Sequence, residues 1–474
     1  MRKIYTFTIP RDTFDETQPD KRVIRNLIRK HIAIAQHLHA NMDYYKGKHK
    51  ITTEENRQNK LVCNHAHDIS DTASSYFIGN PIAYTCKEDI TPLTDALELA
   101  GADEADGDNG LELSIYGLAY EYIYMKEDEN DLCIKNLSAE HTFMVKDDSI
   151  EEKELFAVYY YIRKDDSGKA RDHFIATVLT KNFKYELDIE DCDEPQTMDE
   201  IGVPHYMGDI PVIEYLNNKM AIGDFELQIP LIDAYNALMS DRVTDKEQFI
   251  NSILAIYGTL LVDDDKGDGE EDAGIKEFKK RLKQYQILEL PDTAKAEYLT
   301  RTFDETGVEI LKKAIEQDIH KFSHIPCMTD ESFGGNVSGV AMEFKLLGME
   351  DITKIKTRYY RKGLRKRLRI FCNYLSIHQK MNLDPAGITM TFTRALPKNL
   401  LEISQIVSNL WGKVSKKTLL SQIPFVDDVD EELKEVEKET QENIENQQKM
   451  FGNDPNTPPD GASAEDDVSH DEKE

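Results

Sequence analysis

Apolar residues first fall at helical spacing: Ile24, Leu27, Ile28, Ile34, Leu38, Met42 and Tyr45 share one stripe, which predicts an amphipathic helix over 21–45. Beyond Leu118 the period shortens to two. Ala119, Tyr120, Glu121 and Tyr122 alternate, 155–162 is rich in Tyr and Val, and 173–187 alternates again, so 118–187 reads as a β region. Asp165-Asp166-Ser167-Gly168 supplies turn chemistry between the last two runs, and an antiparallel meander is the simplest arrangement. Helical spacing returns over 225–254. Tyr257 to Val262 then lead into an acidic, glycine-bearing run over 263–272 that must be an exposed loop. Residues 275–284 read as a short helix and 285–290 as a strand, after which Val308, Leu311, Ile315, Ile319 and Phe322 mark another helix. A Gly-rich loop over 331–339 precedes a long helix over 341–379, in which Gly363 is a candidate kink. A strand over 388–393, short helices and a strongly acidic stretch over 427–450 follow. Residues 451–474 carry prolines and acids with almost no large apolar side chain, the composition of a disordered tail.

The 474 residues suffice for several lobes with a real core. Against 58 Lys and Arg stand 89 Asp and Glu, a formal net charge of −31. A protein that coats nucleic acid by neutralising phosphates needs a basic surface, so that class is disfavoured and any DNA contact must be local or weak. The longest nearly uncharged apolar run, 250–262, is shorter than the roughly 20 residues that span a bilayer, and no apolar signal core follows the N-terminus. No membrane contact and a cytoplasmic chain are expected. Six cysteines at 63, 86, 133, 192, 327 and 372 contain no Cys-x-x-Cys pair and read as reduced, mostly buried thiols.

Cys63, His65 and His67 would share a face if that segment were a strand, a donor set that zinc accepts. No fourth ligand lies nearby at a usual spacing, so packed or surface histidines are the favoured reading and no metal is assigned. The acidic run fails as an EF-hand: counted from Asp264, Lys266 occupies the third position and Ile275 stands where the bidentate Glu belongs. No phosphate-binding Gly-Lys-Ser/Thr loop, Gly-x-Ser-x-Gly elbow or His-Glu-x-x-His helix occurs. The sequence therefore makes no case for an enzyme or a cofactor. Its most unusual feature is a cluster of Lys354, Lys356, Arg358, Arg361, Lys362, Arg365, Lys366, Arg367 and Arg369 within an acidic chain. Leu364, Leu368, Phe371 and Leu375 form a buried stripe beside these cations. Contact with DNA phosphate and pairing with a neighbouring subunit are both open for this helix.

Ser332-Phe333-Gly334-Gly335-Asn336-Val337-Ser338-Gly339-Val340-Ala341, continuing to Phe344-Lys345-Leu346-Leu347-Gly348-Met349-Glu350, resembles the portal proteins of tailed bacteriophages, of the type found in long-tailed phages of Gram-positive hosts. Tyr44-Tyr45-Lys46-Gly47, Tyr76-Phe77-Ile78-Gly79-Asn80-Pro81-Ile82, Ile210 to Asn217 with Ser240-Asp241, Thr391 to Arg394, Pro397-Lys398-Asn399, Val414 to Thr418 and Phe425 to Asp428 add to the likeness. Together these segments span about 35–440.

The resemblance implies an α+β portal fold. Its parts would be a wing over 1–230, a stem helix over 231–254, a clip over 255–303, a second stem helix over 304–325, a tunnel loop over 326–340, a long kinked wing helix over 341–382, a helical crown over 383–450 and the acidic tail over 451–474. It also implies a ring of about twelve subunits at one capsid vertex, a channel for double-stranded DNA without sequence reading, and no catalysis. Implied partners are terminase, the major capsid protein and scaffold, and later a head-completion or adaptor protein; assembly would take place in the bacterial host cytoplasm. Ser332, Phe333, Gly334, Gly335, Asn336, Val337, Ser338 and Gly339 would face DNA. The clip surface of Asp263, Asp264, Asp265, Asp268, Lys279 and Lys280 would meet the partners. A DNA-binding module without a ring, working through the basic helix, is the second reading, and a metal-dependent phage enzyme built on Cys63, His65 and His67 the third.

Overall fold

The computed structural model of the chain describes residues 7–126, 131–164, 170–190, 201–250, 253–257, 295–299, 305–327, 339–378, 380–394, 400–420, 423, 426 and 429–451. It divides into two units, one of residues 1–337 and 341–395, the other of residues 338–340 and 396–474.

In the first unit a short strand, β1 (Phe7–Ile9), precedes the long helix α1 (Lys21–Tyr45). The carboxylate of Asp20 caps that helix by accepting the backbone N–H of Arg22 at 2.8 Å. Three helices that the apolar pattern does not announce follow: α2 (His65–Ile78), then, after the strand β2 (Ala83–Thr85), α3 (Thr91–Leu99) and α4 (Ala102–Tyr116). Gly117 ends α4 at φ +82°, and a Cβ there would lie 2.4 Å from the backbone of Ala221, so only glycine fits this turn.

The expected β region forms, but not as one meander. β3 (Leu118–Met125) and β4 (Leu132–Leu137) pair with each other and, through β3, with β10 (Val212–Leu216) in a three-stranded antiparallel sheet. β5 (Thr142–Asp147), β6 (Glu154–Lys164), β7 (Ala170–Leu179) and β8 (Phe183–Ile189) do run as a meander, with β1 added parallel to β5 and β9 (Val203–Pro204) added beyond β8. Ile24, Leu27 and Ile28 of α1 pack on the inner face of this six-stranded sheet against Phe143, Val158 and Phe174. His31 is buried there, its ring nitrogen 3.0 Å from the Tyr160 hydroxyl, and burial pushes its pKa down to about 3.

A helix over 225–254 is shorter than expected. α5 spans Ile229–Ile250, and the last apolar residues of the run become β11 (Ile253–Tyr257), paired antiparallel with β12 (Lys295–Leu299). α6 (Glu305–Ser323) and the 40-residue α7 (Gly339–His378) fall where the spacing places them. β13 (Thr389–Thr391) pairs with β2, so residues 383–395 belong to the larger unit instead of opening the smaller one. In the smaller unit lie α8 (Leu400–Leu410), α9 (Lys416–Leu420) and α10 (Val429–Phe451), the acidic stretch having become a 23-residue helix.

The second apolar core of the larger unit is built on α7. Tyr360, Leu364, Leu368, Phe371 and Leu375 meet Phe77 of α2, Leu93 of α3, Leu113 of α4 and Ile213 and Tyr215 of β10. Gly363 lies inside a continuous helix, and a Cβ on it would come within 2.4 Å of the Tyr215 ring. Its role is the close approach of α7 to β10.

No described helix is long and apolar enough to cross a membrane. Five described cysteines are free thiols; only Cys372 is buried, whereas Cys63, Cys86, Cys133 and Cys327 are half-buried, so most thiols are less enclosed than the sequence suggested. Burial raises the Cys372 pKa to about 11.

Candidate functional site

Two features stand out chemically: a helical hairpin rising from the larger unit, and the cation-rich helix α7.

The hairpin begins on a polar strap. Residues 57–63 run along α5, with the backbone N–H of Cys63 donating to Asn236 Oδ1 at 2.8 Å, that of Leu61 to Ser240 Oγ at 2.9 Å, and Arg57 Nη1 reaching Asp241. Two of these are directional bonds from backbone N–H groups to side chains of α5, and they fix the register of the strap against the helix. The second helix returns antiparallel: Arg242 of α5 donates to Glu309 at 2.9 Å and Glu305 at 3.1 Å of α6, and Lys246 adds a third contact to Glu305. The pairs are half to fully exposed and act as register marks more than as stabilisation. Beyond the helices, β11 and β12 continue the hairpin as a ribbon, Ile253 opposite Leu299 and Tyr257 opposite Lys295. An α5 of 22 residues is about 33 Å long, so the two helices and the ribbon form a long antiparallel element. Asp263, Asp264, Asp265, Asp268, Lys279 and Lys280 lie outside the described residues, as do Ser332, Phe333, Gly334, Gly335, Asn336, Val337 and Ser338; Gly339 is the first residue of α7.

The cations of α7 separate into two sets. Arg367 is fully buried, with its Nε 2.9 Å from Glu121 Oε1 and its Nη2 2.6 Å from Asp106 and in contact with Glu121 Oε2. Tyr215 donates to the same Glu121 at 3.0 Å, Asn109 donates to it at 3.1 Å, and Tyr360 donates to Asp106. Burial opposes the Arg367 charge, and Asp106 and Glu121 more than offset it, holding the guanidinium protonated. Lys356 is buried against Asp224 at 2.6 Å, and Lys366 against Glu154 and the carbonyl of Val212 at 2.8 Å. Lys356 and Lys366, expected as DNA or inter-subunit contacts, are therefore neutralised inside the chain. Lys354, Arg358, Lys362, Arg365 and Arg369 form the other set and are exposed. Arg361 is half-buried above the Phe392 ring, 5.6 Å from its centroid.

The premise of the Cys63, His65 and His67 reading also fails. His65 opens α2, so these residues are not alternate positions of a strand. His65 instead stacks edge-on against Tyr235 and His320, and burial lowers its pKa. His67 is exposed and pairs with Asp71 at 3.1 Å one turn on. Among the described residues no group of three or more His, Cys, Asp or Glu is arranged to hold a metal ion.

Sequence reasoning missed the acidic partners of Arg367. For Asp106 the signal lies in α4, where Asp106 and Asn109 stand a turn apart on the face that is buried.

This chain belongs to the phage portal protein family described as SPP1 Gp6-like, which matches residues 24–446. Members are structural proteins of the virion, located at the capsid. Among curated proteins, the chain is 27% identical over 431 residues to the portal protein of Bacillus phage SPP1, covering 85% of this chain and 81% of that protein. It is 24% identical over 440 residues to the portal protein of Clostridium phage phiCD119, covering 86% and 93%. Among solved structures, a chain from the neck of an empty GTA particle computed with C6 symmetry aligns at 12% identity and a TM-score of 0.43, over 76% of this chain and 90% of that one.

Proposed function

We propose that this portal protein assembles into a ring of about twelve copies at one capsid vertex and acts as the conduit for double-stranded DNA during packaging and ejection. The observation that carries the reading is family membership running through nearly the whole chain, from residue 24 to 446. In this reading residues 1–230 with α7 form the wing, α5 and α6 the stem, 255–303 the clip, 326–340 the tunnel loop and the C-terminal helices the crown. The described hairpin, a pair of long helices ending in a two-stranded ribbon, is the kind of support that such a clip would need.

Terminase docks on the clip through Asp263, Asp264, Asp265, Asp268, Lys279 and Lys280 while DNA enters, and a head-completion or adaptor protein replaces it afterwards. Before packaging, the ring initiates procapsid assembly with the major capsid protein and scaffold in the host cytoplasm. No chemistry is required of the chain; the motor's energy comes from the terminase. A net charge of −31 suits passage, because a wall that repels phosphate cannot trap the duplex in many simultaneous ion pairs. Gly334 and Gly335 give the loop the freedom to yield to a moving helix.

The test is a Gly335→Trp variant carried into phage particles. Rings are expected to form normally while packaged DNA per head falls sharply. Normal packaging by this variant would remove residues 332–339 from the channel.

A further inference from the structure

One face of α7 is exposed among the described residues, and it changes character along its length. Phe344, Leu347 and Ile355 are 73%, 50% and 43% exposed, and together they put apolar surface on one face of the helix. Lys354, Arg358, Lys362, Arg365 and Arg369 follow at steps of four, four, three and four. At 100° per residue all eight fall within an arc of about 100°, along about 38 Å of helix. The cationic end borders an open groove of about 450 Å³ between α7 and β13, whose walls include Arg361, Phe392 and Arg394. Among the described residues Lys354 pairs only with a neighbouring turn's Asp351 at 3.5 Å, and Arg369 only with Asp209 at 3.6 Å. Arg358, Lys362 and Arg365 form no ion pair among the described residues.

We propose that this face is a contact between copies of the chain, in which the apolar third is covered and the cationic ridge receives exposed carboxylates of a second copy. The inference rests on the ring assembly proposed above and assigns one of its interfaces. Two arguments favour a protein over DNA. Phosphates would satisfy the ridge and leave Phe344, Leu347 and Ile355 wet on the same face, whereas a protein surface covers both. The charge also points to a second copy. Chains of −31 repel one another, so a contact between them needs a local cationic surface, and the excess of 31 acids supplies the complement. The inner cations Lys356, Lys366 and Arg367 have carboxylate partners within the chain, so on α7 it is the exposed ridge that can meet those of a neighbour.

The test uses the full-length protein and a triple charge reversal, Arg358→Glu, Lys362→Glu and Arg365→Glu. Mass by light scattering is measured at about 50 mM and about 500 mM salt, with circular dichroism melts and binding of a labelled duplex in parallel. The assembled fraction of the reversal is expected to fall about tenfold or more at low salt, with a melt close to that of wild type and duplex binding unchanged. If the reversal melts early, Arg358→Gln with Arg365→Gln, which only neutralises, is read instead, with the same loss expected in smaller degree. Assembly equal to wild type overturns the inference, and so does unchanged assembly with weakened duplex binding, which would turn the ridge toward DNA. In both cases the ring stands. A wild type that remains a single chain under all conditions overturns the ring and the inference together.

Discussion

Replacing Arg367 by methionine tests the most consequential buried charge in the larger unit. The methionine fills most of the same space but removes the cation that faces Asp106 and Glu121, which are 3% and 0% exposed. Two carboxylates are then left in the core, supported only by the neutral donors Tyr215, Tyr360 and Asn109. Removing one partner of a buried ion pair costs roughly 3–5 kcal/mol, a large share of the roughly 5–15 kcal/mol that holds a domain folded. A thermal melt should fall by at least about 5 °C. Adding Asp106→Asn and Glu121→Gln to the methionine variant should recover much of the stability, since a whole buried charge network can be replaced more cheaply than half of one. A loss below about 1 kcal/mol for the single variant, or no recovery in the triple, would refute the reasoning.

Glu112 offers a pH-dependent counterpart. Burial, then Asp108 and Glu140, push its pKa from 4.5 to about 8, and its Oε2 is sealed from solvent without a partner. The folded chain keeps this proton to higher pH than the unfolded chain, so its contribution to stability is complete below about 4.5 and is lost as pH rises through about 8. Denaturation of Glu112→Gln across pH should lack this decline, giving a variant more stable than wild type by roughly 1–3 kcal/mol at alkaline pH and little changed in acid; equal slopes would contradict the assignment. For Gly363→Ala, helix propensity alone favours alanine by roughly 0.8–1 kcal/mol. The 2.4 Å approach to the Tyr215 ring should reverse that sign and cost a net 1–2 kcal/mol or so, so a raised melting temperature would show that α7 and β10 are not in such close contact.

The elements legible in the sequence are those whose burial is one-sided and apolar. α1 carries an unbroken stripe and a capping Asp20, and α7 carries Leu364, Leu368, Phe371 and Leu375 at core spacing. α4 was missed because its buried positions include Asp106, Asn109 and Ser114, so polarity and exposure part company along it. In α2 three of the inward residues, Ala66, Ser70 and Ala73, are small, which thins the period carried by Ile69, Tyr76 and Phe77. The helical reading of 225–254 overruns into β11 at Ile253 and Leu254, because a short apolar run fits a strand or a buried helix equally well and its partner strand lies nearly 40 residues downstream. Sequence located the basic helix but could not sort its cations. Lys356, Lys366 and Arg367 find carboxylates at Asp224, Glu154, Asp106 and Glu121, each more than 100 residues away, while Arg358, Lys362 and Arg365 on the opposite side form no ion pair among the described residues. Portal membership was legible from Ser332 to Glu350, because a Gly-rich loop feeding a long helix is a local pattern that no distant contact has to complete.

The most direct test of the account is the mass and shape of the purified full-length protein in solution, alone and with scaffold and coat protein, by light scattering and negative-stain imaging of the same sample. The conduit requires a closed ring with a central hole and a mass of about 650 kDa, some twelve chains of 54.4 kDa. A chain that stays monomeric or dimeric even with its capsid partners present would contradict it.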